Sequence, residues 1–461
     1  MNFVPRRRTV LRLAFLAAAT TSVACGPSTG GTGDRTPLAD KWLVRAKAEY
    51  KNGEMEDAYE ASKSALQASP KDAETRTVAA KLALTKLEFA EAIKLTEGLE
   101  SPDAHAIRGR AHWFAGDIEQ AADELDAMLK DPTVKDPWAR SVSRLARQGA
   151  GRKPFTIEGA LVTAVEMPQA GPILVVPVEL DGENVLALVA TANTEVIVDS
   201  NARKEPSWVN LRFGGKVEVK DVPALTQDLS GVSRQLGAPI KALLGINLLR
   251  HAHVTFDRRG DQFVVRKNEP VAPPDASRVP VHYVRGGGML VRLGVSPKAE
   301  GKATLLVDSS SFFPLALEDG TWRQAGVDPA SLRPEPSAPG GAVKTGVVPN
   351  IKFGAFDLPR IPAVGGVPMN DLLSNVDVDL AGVVGSGLLS LFRVTFGDSG
   401  RFVWLEADPT LEVDRGARET SPPAAPQTTS PAPSAPAAAV PATSNAPSPA
   451  PSTKTPKGKK P

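Results

Sequence analysis

One pattern occurs twice in this chain, and it restricts the fold more than any other feature. Leu243-Leu244-Gly245, followed by Leu248-Leu249 and Val254-Thr255-Phe256, returns as Val383-Val384-Gly385, Leu388-Leu389 and Val394-Thr395-Phe396. The two sets are offset by 140 residues without a gap. Upstream, Leu186-Ala187-Leu188-Val189-Ala190-Thr191-Ala192-Asn193 matches Thr304-Leu305-Leu306-Val307-Asp308-Ser309-Ser310-Ser311 at an offset of 118. The second copy therefore carries 22 more residues between its motifs, and the Pro/Gly-rich stretch 333–341 is the expected place for them. Around these motifs Val, Ile and Leu alternate in short runs broken by Gly, Pro, Asn and Asp, as in Ile173-Leu174-Val175-Val176-Pro177-Val178-Glu179-Leu180-Asp181-Gly182. Those are strand and hairpin signals. They run from about residue 152 to about 406, so this region reads as β structure made twice.

The region before it follows another rule. From residue 37 to about 150 the periodicity is helical, with alanine-rich faces and few β-branched residues. A repeat of about 34 residues begins with Trp42, Ala46, Gly53, Ala58, Ala65 and Pro70. It continues more loosely with Ala80, Ala92 and Leu99, then with Gly109, Gly116, Ala121 and Pro132. Small residues let paired helices cross closely, and the proline stops the second helix. These spacings resemble the tetratricopeptide repeat and predict about three helical hairpins. Modules of that kind usually bind a partner rather than catalyse.

Both ends of the 461-residue chain read differently. Arg6, Arg7 and Arg8 precede a short apolar run, Leu13 to Ala19, and then Ser22-Val23-Ala24-Cys25. A basic start, an apolar stretch too short to span a bilayer and small residues at its exit describe an export signal. Small residues ending in cysteine resemble the lipobox of bacterial lipoproteins. The resemblance implies cleavage before Cys25 and acylation of that residue, hence a lipid anchor without a spanning helix. Gly26 after the cysteine resembles signals sorted to the outer membrane, and Arg7-Arg8-Thr9-Val10-Leu11-Arg12 resembles a twin-arginine motif. Residues 26–36 follow as a Gly-rich flexible tether. At the other end, residues 421–461 hold 12 prolines and no aromatic residue, and they finish in Lys454, Lys457, Lys459 and Lys460. Such a segment cannot bury a core and reads as an extended, disordered spacer.

Composition narrows the function classes. Lys+Arg number 54 against 52 Asp+Glu, a net charge of +2, so no global field attracts nucleic acid. A single cysteine excludes a disulfide framework and any multi-cysteine metal site. His251 and His253 are read as surface histidines on one strand face, with no third ligand beyond a chance Asp257. Gly286-Gly287-Gly288 leads into an apolar strand and is read as a hairpin turn, not a phosphate loop. Gly385-Ser386-Gly387 lacks the spacing of a nucleophile elbow. No cofactor and no metal are expected.

An apolar strand delivering Asp-Thr/Ser-Gly, a later apolar pair with glycine, and a strand returning as Val-Thr-Phe resemble one half of a retropepsin-like aspartic protease. Two halves in one chain, over about residues 155–406, resemble the bilobal, pepsin-like arrangement. The resemblance implies one aspartate from each lobe at the interface, sharing a proton so that one carboxylate is base and the other acid. It also implies that the Thr or Ser after each aspartate bonds across the interface and that the glycine permits a tight turn. The sequence departs from this at the aspartates. In the first lobe the position is Ala190, followed by Thr191 and Ala192; in the second, Asp308 and Ser309 fit and Ser310 replaces glycine. Asp199 is expected beyond the next strand and is not a substitute. Loss of general acid–base catalysis removes about 10²- to 10⁴-fold in rate. Pairing of Asp308 lobes from two chains is disfavoured, because lobes of one chain meet at an effective concentration on the order of millimolar.

The expected fold is therefore multidomain α + all-β: a helical-hairpin, tetratricopeptide-like module followed by a two-lobed pepsin/retropepsin-like β-barrel domain. The expected boundaries are signal 1–24, tether 25–36, helical repeats 37–150, first lobe 152–268, second lobe 278–407 and tail 409–461. The expected function is that of a membrane-anchored envelope lipoprotein, facing the periplasm or exterior, which binds a protein or peptide through its repeats and an inactive cleft. The candidate site residues are Asp308 opposite Ala190, the hydroxyls of Thr191 and Ser309, and Cys25 for lipidation. The alternatives are an active aspartic peptidase using Asp308 and a structural lipoprotein whose tail bridges envelope layers.

Overall fold

The computed structural model describes residues 35–284, 287–296, 301–335, 342–367, 376–407 and 414–415 of the chain. Cys25, the export signal, the tether to residue 34 and the proline-rich tail lie outside the described residues.

Among the described residues seven helices come first: α1 (Pro37–Lys51), α2 (Met55–Ala68), α3 (Ala73–Thr85), α4 (Phe89–Thr96), α5 (Pro102–Ala115), α6 (Ile118–Leu129) and α7 (Pro137–Gln148). Thr36, Asp72, Ser101 and Asp136 cap α1, α3, α5 and α7 by accepting from the backbone N–H three residues on. Proline follows the cap in α1, α5 and α7, where its missing N–H costs nothing. α1 packs on α2, α3 on α4, and α5 on α6, with α7 against α6. The repeat alanines Ala46, Ala58, Ala65, Ala80, Ala92 and Ala121 are fully buried at these crossings. At Gly109 a Cβ would meet Leu125 Cδ2 at 2.7 Å, so only glycine allows α5 and α6 to approach this closely.

The turn inside each hairpin needs a left-handed residue. Gly53 (φ 78°), Leu87 (φ 58°) and Gly116 (φ 90°) supply it, and the next N–H bonds back to the carbonyl five residues earlier. Leucine is strained there. Its side chain explains its presence, because Leu87 is buried in the core of the β region.

The β region comes in two sets. The first holds β1 (Thr156–Gly159), β2 (Val162–Glu166), β3 (Val175–Leu180), β4 (Glu183–Val189), β5 (Val196–Asp199), β6 (Ser207–Phe213), β7 (Val217–Gln227), β8 (Ile240–Leu244), β9 (Thr255–Asp257) and β10 (Gln262–Arg266), with helices α8 (Ser230–Leu236) and α9 (Ile246–His251). The second holds β11 (Ser277–Pro280), β12 (His282–Tyr283), β13 (Met289–Gly294), β14 (Lys302–Asp308), β15 (Leu315–Leu317), β16 (Arg333–Pro334), β17 (Lys344–Phe353), β18 (Phe356–Gly365), β19 (Gly382–Gly385), β20 (Phe392–Gly397), β21 (Phe402–Ala407) and β22 (Asp414–Arg415), with α10 (Asp319–Gln324) and α11 (Ser386–Leu389).

Each set builds its own sheet by one rule. In the first, β4 runs parallel to β8, β8 antiparallel to β5, and β5 parallel to β7. In the second, β14 runs parallel to β19, β19 antiparallel to β15, and β15 parallel to β18. A third sheet, ordered β11-β21-β20-β9-β10-β2, takes three strands from each set and joins them where β9 pairs antiparallel with β20. One large apolar core runs through all three sheets.

The length difference falls where the two sets diverge. Residues 200–206 link β5 to β6, whereas residues 318–343 link β15 to β17. The addition is wider than the expected stretch 333–341, because it begins with α10 and includes β16. Trp322 of α10 is fully buried and packs over Gly346 and Gly365, which leave room for its ring.

The helices and the β region share an interior. Tyr50, Met55, Ala58 and Leu82 form one apolar cluster with Leu290 and Leu306. Thr304 Oγ1 donates to the Gly53 carbonyl at 2.9 Å, and a Cβ at Gly53 would strike Thr304 at 2.8 Å. Glu54 pairs with Arg292, and Glu56 with His282. One face of the repeats is therefore already occupied by the chain's own β region.

Candidate functional site

The site is where β4 and β14 deliver their ends to each other. After each strand the chain turns tightly: Asn193 N–H donates to Ala190 O in the first copy, and Ser311 N–H to Asp308 O in the second. That turn then crosses a glycine. A Cβ at Gly245 would lie 2.1 Å from Glu195 O, and one at Gly385 would lie 1.9 Å from Phe313 O. Ile246 N–H bonds to Asn193 O at 2.8 Å and Ser386 N–H to Ser311 O at 2.8 Å. Both duplicated glycines thus have one physical role, the passage of one backbone over another.

Thr191 and Ser309 join the copies reciprocally. Thr191 N–H donates to Ser309 Oγ at 3.1 Å and Ser309 N–H to Thr191 Oγ1 at 3.0 Å. Each hydroxyl then donates onward, Thr191 to Val307 O at 2.8 Å and Ser309 to Val189 O at 2.7 Å. Both residues are fully buried. Thr255 and Thr395, from the repeated Val-Thr-Phe, bond to each other through their hydroxyls at 2.8 Å. Sequence reading matched that pair without giving it a role; the threonines at equal offset were the signal.

Asp308 is 3% exposed, and its carboxylate is held by its own turn. Oδ1 accepts from Ser310 N–H at 3.0 Å and from Ser310 Oγ at 2.5 Å, and Oδ2 accepts from Ser311 Oγ at 2.6 Å. Asn and Asp turns of this kind bond to backbone two residues on. Among the described residues, Ser310 and Ser311 are the partners bonded to this carboxylate. Ala190 takes the matching position and packs in an apolar cluster with Ile173, Leu188 and Leu229. Asp199 ends β5 and pairs with Lys241 at 3.0 Å, away from Asp308 in the bonding network.

A buried polar cluster missed by sequence reading lies beside the first turn. Glu195 is buried and accepts from the indoles of Trp113 at 2.9 Å and Trp138 at 3.0 Å, which belong to α5 and α7. Burial pushes its carboxyl pKa up, while the two indoles and Arg110 oppose that shift. Nothing in the sequence places a glutamate after Thr194 against two distant tryptophans.

The histidine pair is corrected. His251 ends α9 instead of lying on a strand, and its ring stacks on Phe155 at 4.5 Å. His253 sits in a turn at φ 43° and pairs with Glu269. Their side chains are drawn to different partners. Among the described residues no group of three His, Cys, Asp or Glu side chains is arranged for a metal.

No family model matches the chain, and no curated protein matches it. Solved structures similar to parts of it include the TPR domain of Arabidopsis OM64, at 16% identity and TM-score 0.23, over 25% of this chain and 98% of that one. A retropepsin-like aspartic protease from Rickettsia conorii is similar at 16% identity and TM-score 0.22, over 28% of this chain and 90% of that one. Basic 7S globulin from soybean is similar at 12% identity and TM-score 0.34, over 55% of this chain and 96% of that one.

Proposed function

We propose that this chain is an envelope lipoprotein anchored through Cys25, whose two β copies form a pepsin-like, bilobal cleft that holds an extended peptide and does not cleave it. The observation that carries this reading is the contrast at one matched position. Thr191 and Ser309 keep the full reciprocal bonding between copies, while Ala190 stands where Asp308 would need its partner. Strand-like bonding to a cleft can give affinity without chemistry. The exposed ring of Phe312, four residues beyond Asp308, would offer an apolar contact at the cleft's edge.

The test is a peptidase assay on the chain from residue 26, with a mixed peptide library from acid to neutral pH, beside Asp308→Ala. The expected result is no turnover by either protein and retention of a subset of peptides by both. Cleavage by the parent that Asp308→Ala abolishes would make the protein an aspartic peptidase instead. Anchoring is tested separately by partition of the full chain and of Cys25→Ser between membrane and soluble fractions, where loss of membrane association in the variant is expected.

A further inference from the structure

A cavity of about 670 Å³ lies between the helices and the β region, apart from Asp308 and independent of the cleft reading. Its apolar wall includes Leu82, Ile107, Phe114, Met128, Ile246 and Val284. That volume suits a small organic ligand or a short peptide end. Of the cations on the helical wall, Lys47 pairs with Glu74, Lys51 with Asp379, Lys81 with Asp377 and Arg110 with Asp136, while Lys135 is exposed to solvent at the rim.

Arg250 differs from all of them. It lines the cavity from α9, is 3% exposed, and has no carboxylate within ion-pair distance among the described residues. Its Nε donates to Asn247 Oδ1 at 3.0 Å and its Nη2 to Phe114 O at 2.7 Å, which leaves Nη1. Glu195 acts on it through space, with Asn247 between them, whose amide lies 3.5 Å from Oε1. Tyr283 beside it is neutral at physiological pH, since burial raises its phenol pKa, and it donates to Gly400 O at 2.6 Å. Burial brings the guanidinium itself down to about 10. A buried cation without an anion in direct contact is costly, and an incoming carboxylate offsets that cost.

We infer that this cavity is a binding site for a carboxylate carried on an apolar body, with Arg250 as the anion's partner. Either an apolar small-molecule acid or the C-terminal carboxylate of a peptide has this chemistry.

Calorimetric titration of the mature chain tests it with two matched pairs: 4-phenylbutyrate against 4-phenylbutanol, and acetyl-Leu-Phe with a free carboxylate against its amide. Each carboxylate is expected to bind about tenfold or more tighter than its neutral match, from a charge-assisted hydrogen bond. Arg250→Gln should remove that preference and leave apolar binding. Ala106→Trp, which fills the cavity from the half-buried face of α5, should abolish all four titrations without unfolding the protein, so the inference stays testable if Arg250→Gln does not fold. Tighter binding of the peptide acid identifies a peptide terminus as the source, and tighter binding of phenylbutyrate a small acid. Equal affinity for acid and neutral match, binding untouched by Ala106→Trp, or no binding at millimolar concentration would overturn it.

Discussion

The two β copies share a frame and differ in what the frame carries. Both cross a turn over glycine, both send a hydroxyl into the other copy, and both order their strands by the same parallel and antiparallel pairings. At equivalent positions the first copy has Ala190, Glu195 and His251 where the second has Asp308, Phe313 and Leu391. Features required for folding recur, because replacing either glycine would leave a steric clash in its own copy, and removing either hydroxyl would leave unsatisfied buried groups in the other. The carboxylate does not recur, and the bonds of Asp308 stay within its own turn, so neither copy's fold depends on a matching acid in the other. Ala190 even packs as part of an apolar cluster, where a charged side chain would be unsatisfied.

The largest difference between the copies is the added segment of the second, and its anchor is Trp322. Trp322→Ala removes a fully buried ring and is expected to cost about 3–5 kcal/mol, read as a fall in the urea midpoint. A cost below about 1 kcal/mol would mean the segment is an appendage rather than part of the second copy's core.

Next comes the cross-copy pair. Thr191→Val removes an acceptor for Ser309 N–H and a donor for Val307 O, and Ser309→Ala does the same to Thr191 N–H and Val189 O. Each is expected to cost about 2–3 kcal/mol, with Thr191→Ser close to neutral. The copies are equivalent at this point if the two costs agree within about 1 kcal/mol. A much smaller cost for one would show that its copy does not depend on the bond.

A smaller effect separates the copies by pH. Burial, aided by the neighbouring Arg250, holds the His251 imidazole well below its ordinary pKa of about 6.5. The unfolded chain then binds a proton that the folded chain refuses, so stability is lost as pH falls below about 6.5. His251→Leu gives the first copy the second copy's residue at that position. The drop in melting temperature between pH 7.5 and 5.5 should be smaller for the variant than for the parent, and an unchanged drop would assign the acid sensitivity elsewhere.

What could be read from sequence was what is encoded locally or repeated. The spacing of small residues and of the helix-stopping prolines marks the helical hairpins, and the two offsets mark paired strands and their glycines. What could not be read depends on partners far apart in the chain. Leu87 occupies a turn position held by glycine in the neighbouring hairpins, and only the β core it enters explains it. The spacing of His251 and His253 fits a strand face, yet one residue belongs to a short helix and the other to a left-handed turn. The wall of the cavity combines α1, α3 and α5 with α9 and the end of β12, and no spacing records that combination.

Thr255 and Thr395 give the finest comparison, because the same residue serves both copies through one shared bond of 2.8 Å. Replacing either by valine removes that bond, with an expected cost of about 1 kcal/mol and a coupling of similar size in the double-mutant cycle. The two single costs should nevertheless differ. Arg266 Nη1 also donates to Thr255 Oγ1 at 2.7 Å, while the residue matching Arg266 in the second copy is Glu406. Burial depresses the Arg266 pKa, so this guanidinium depends on its remaining acceptors. Thr255→Val should therefore be the more destabilising change, and the excess should disappear in an Arg266→Met background. Equal single costs would mean that Arg266 gains nothing from the hydroxyl and that the copies remain symmetric down to this bond.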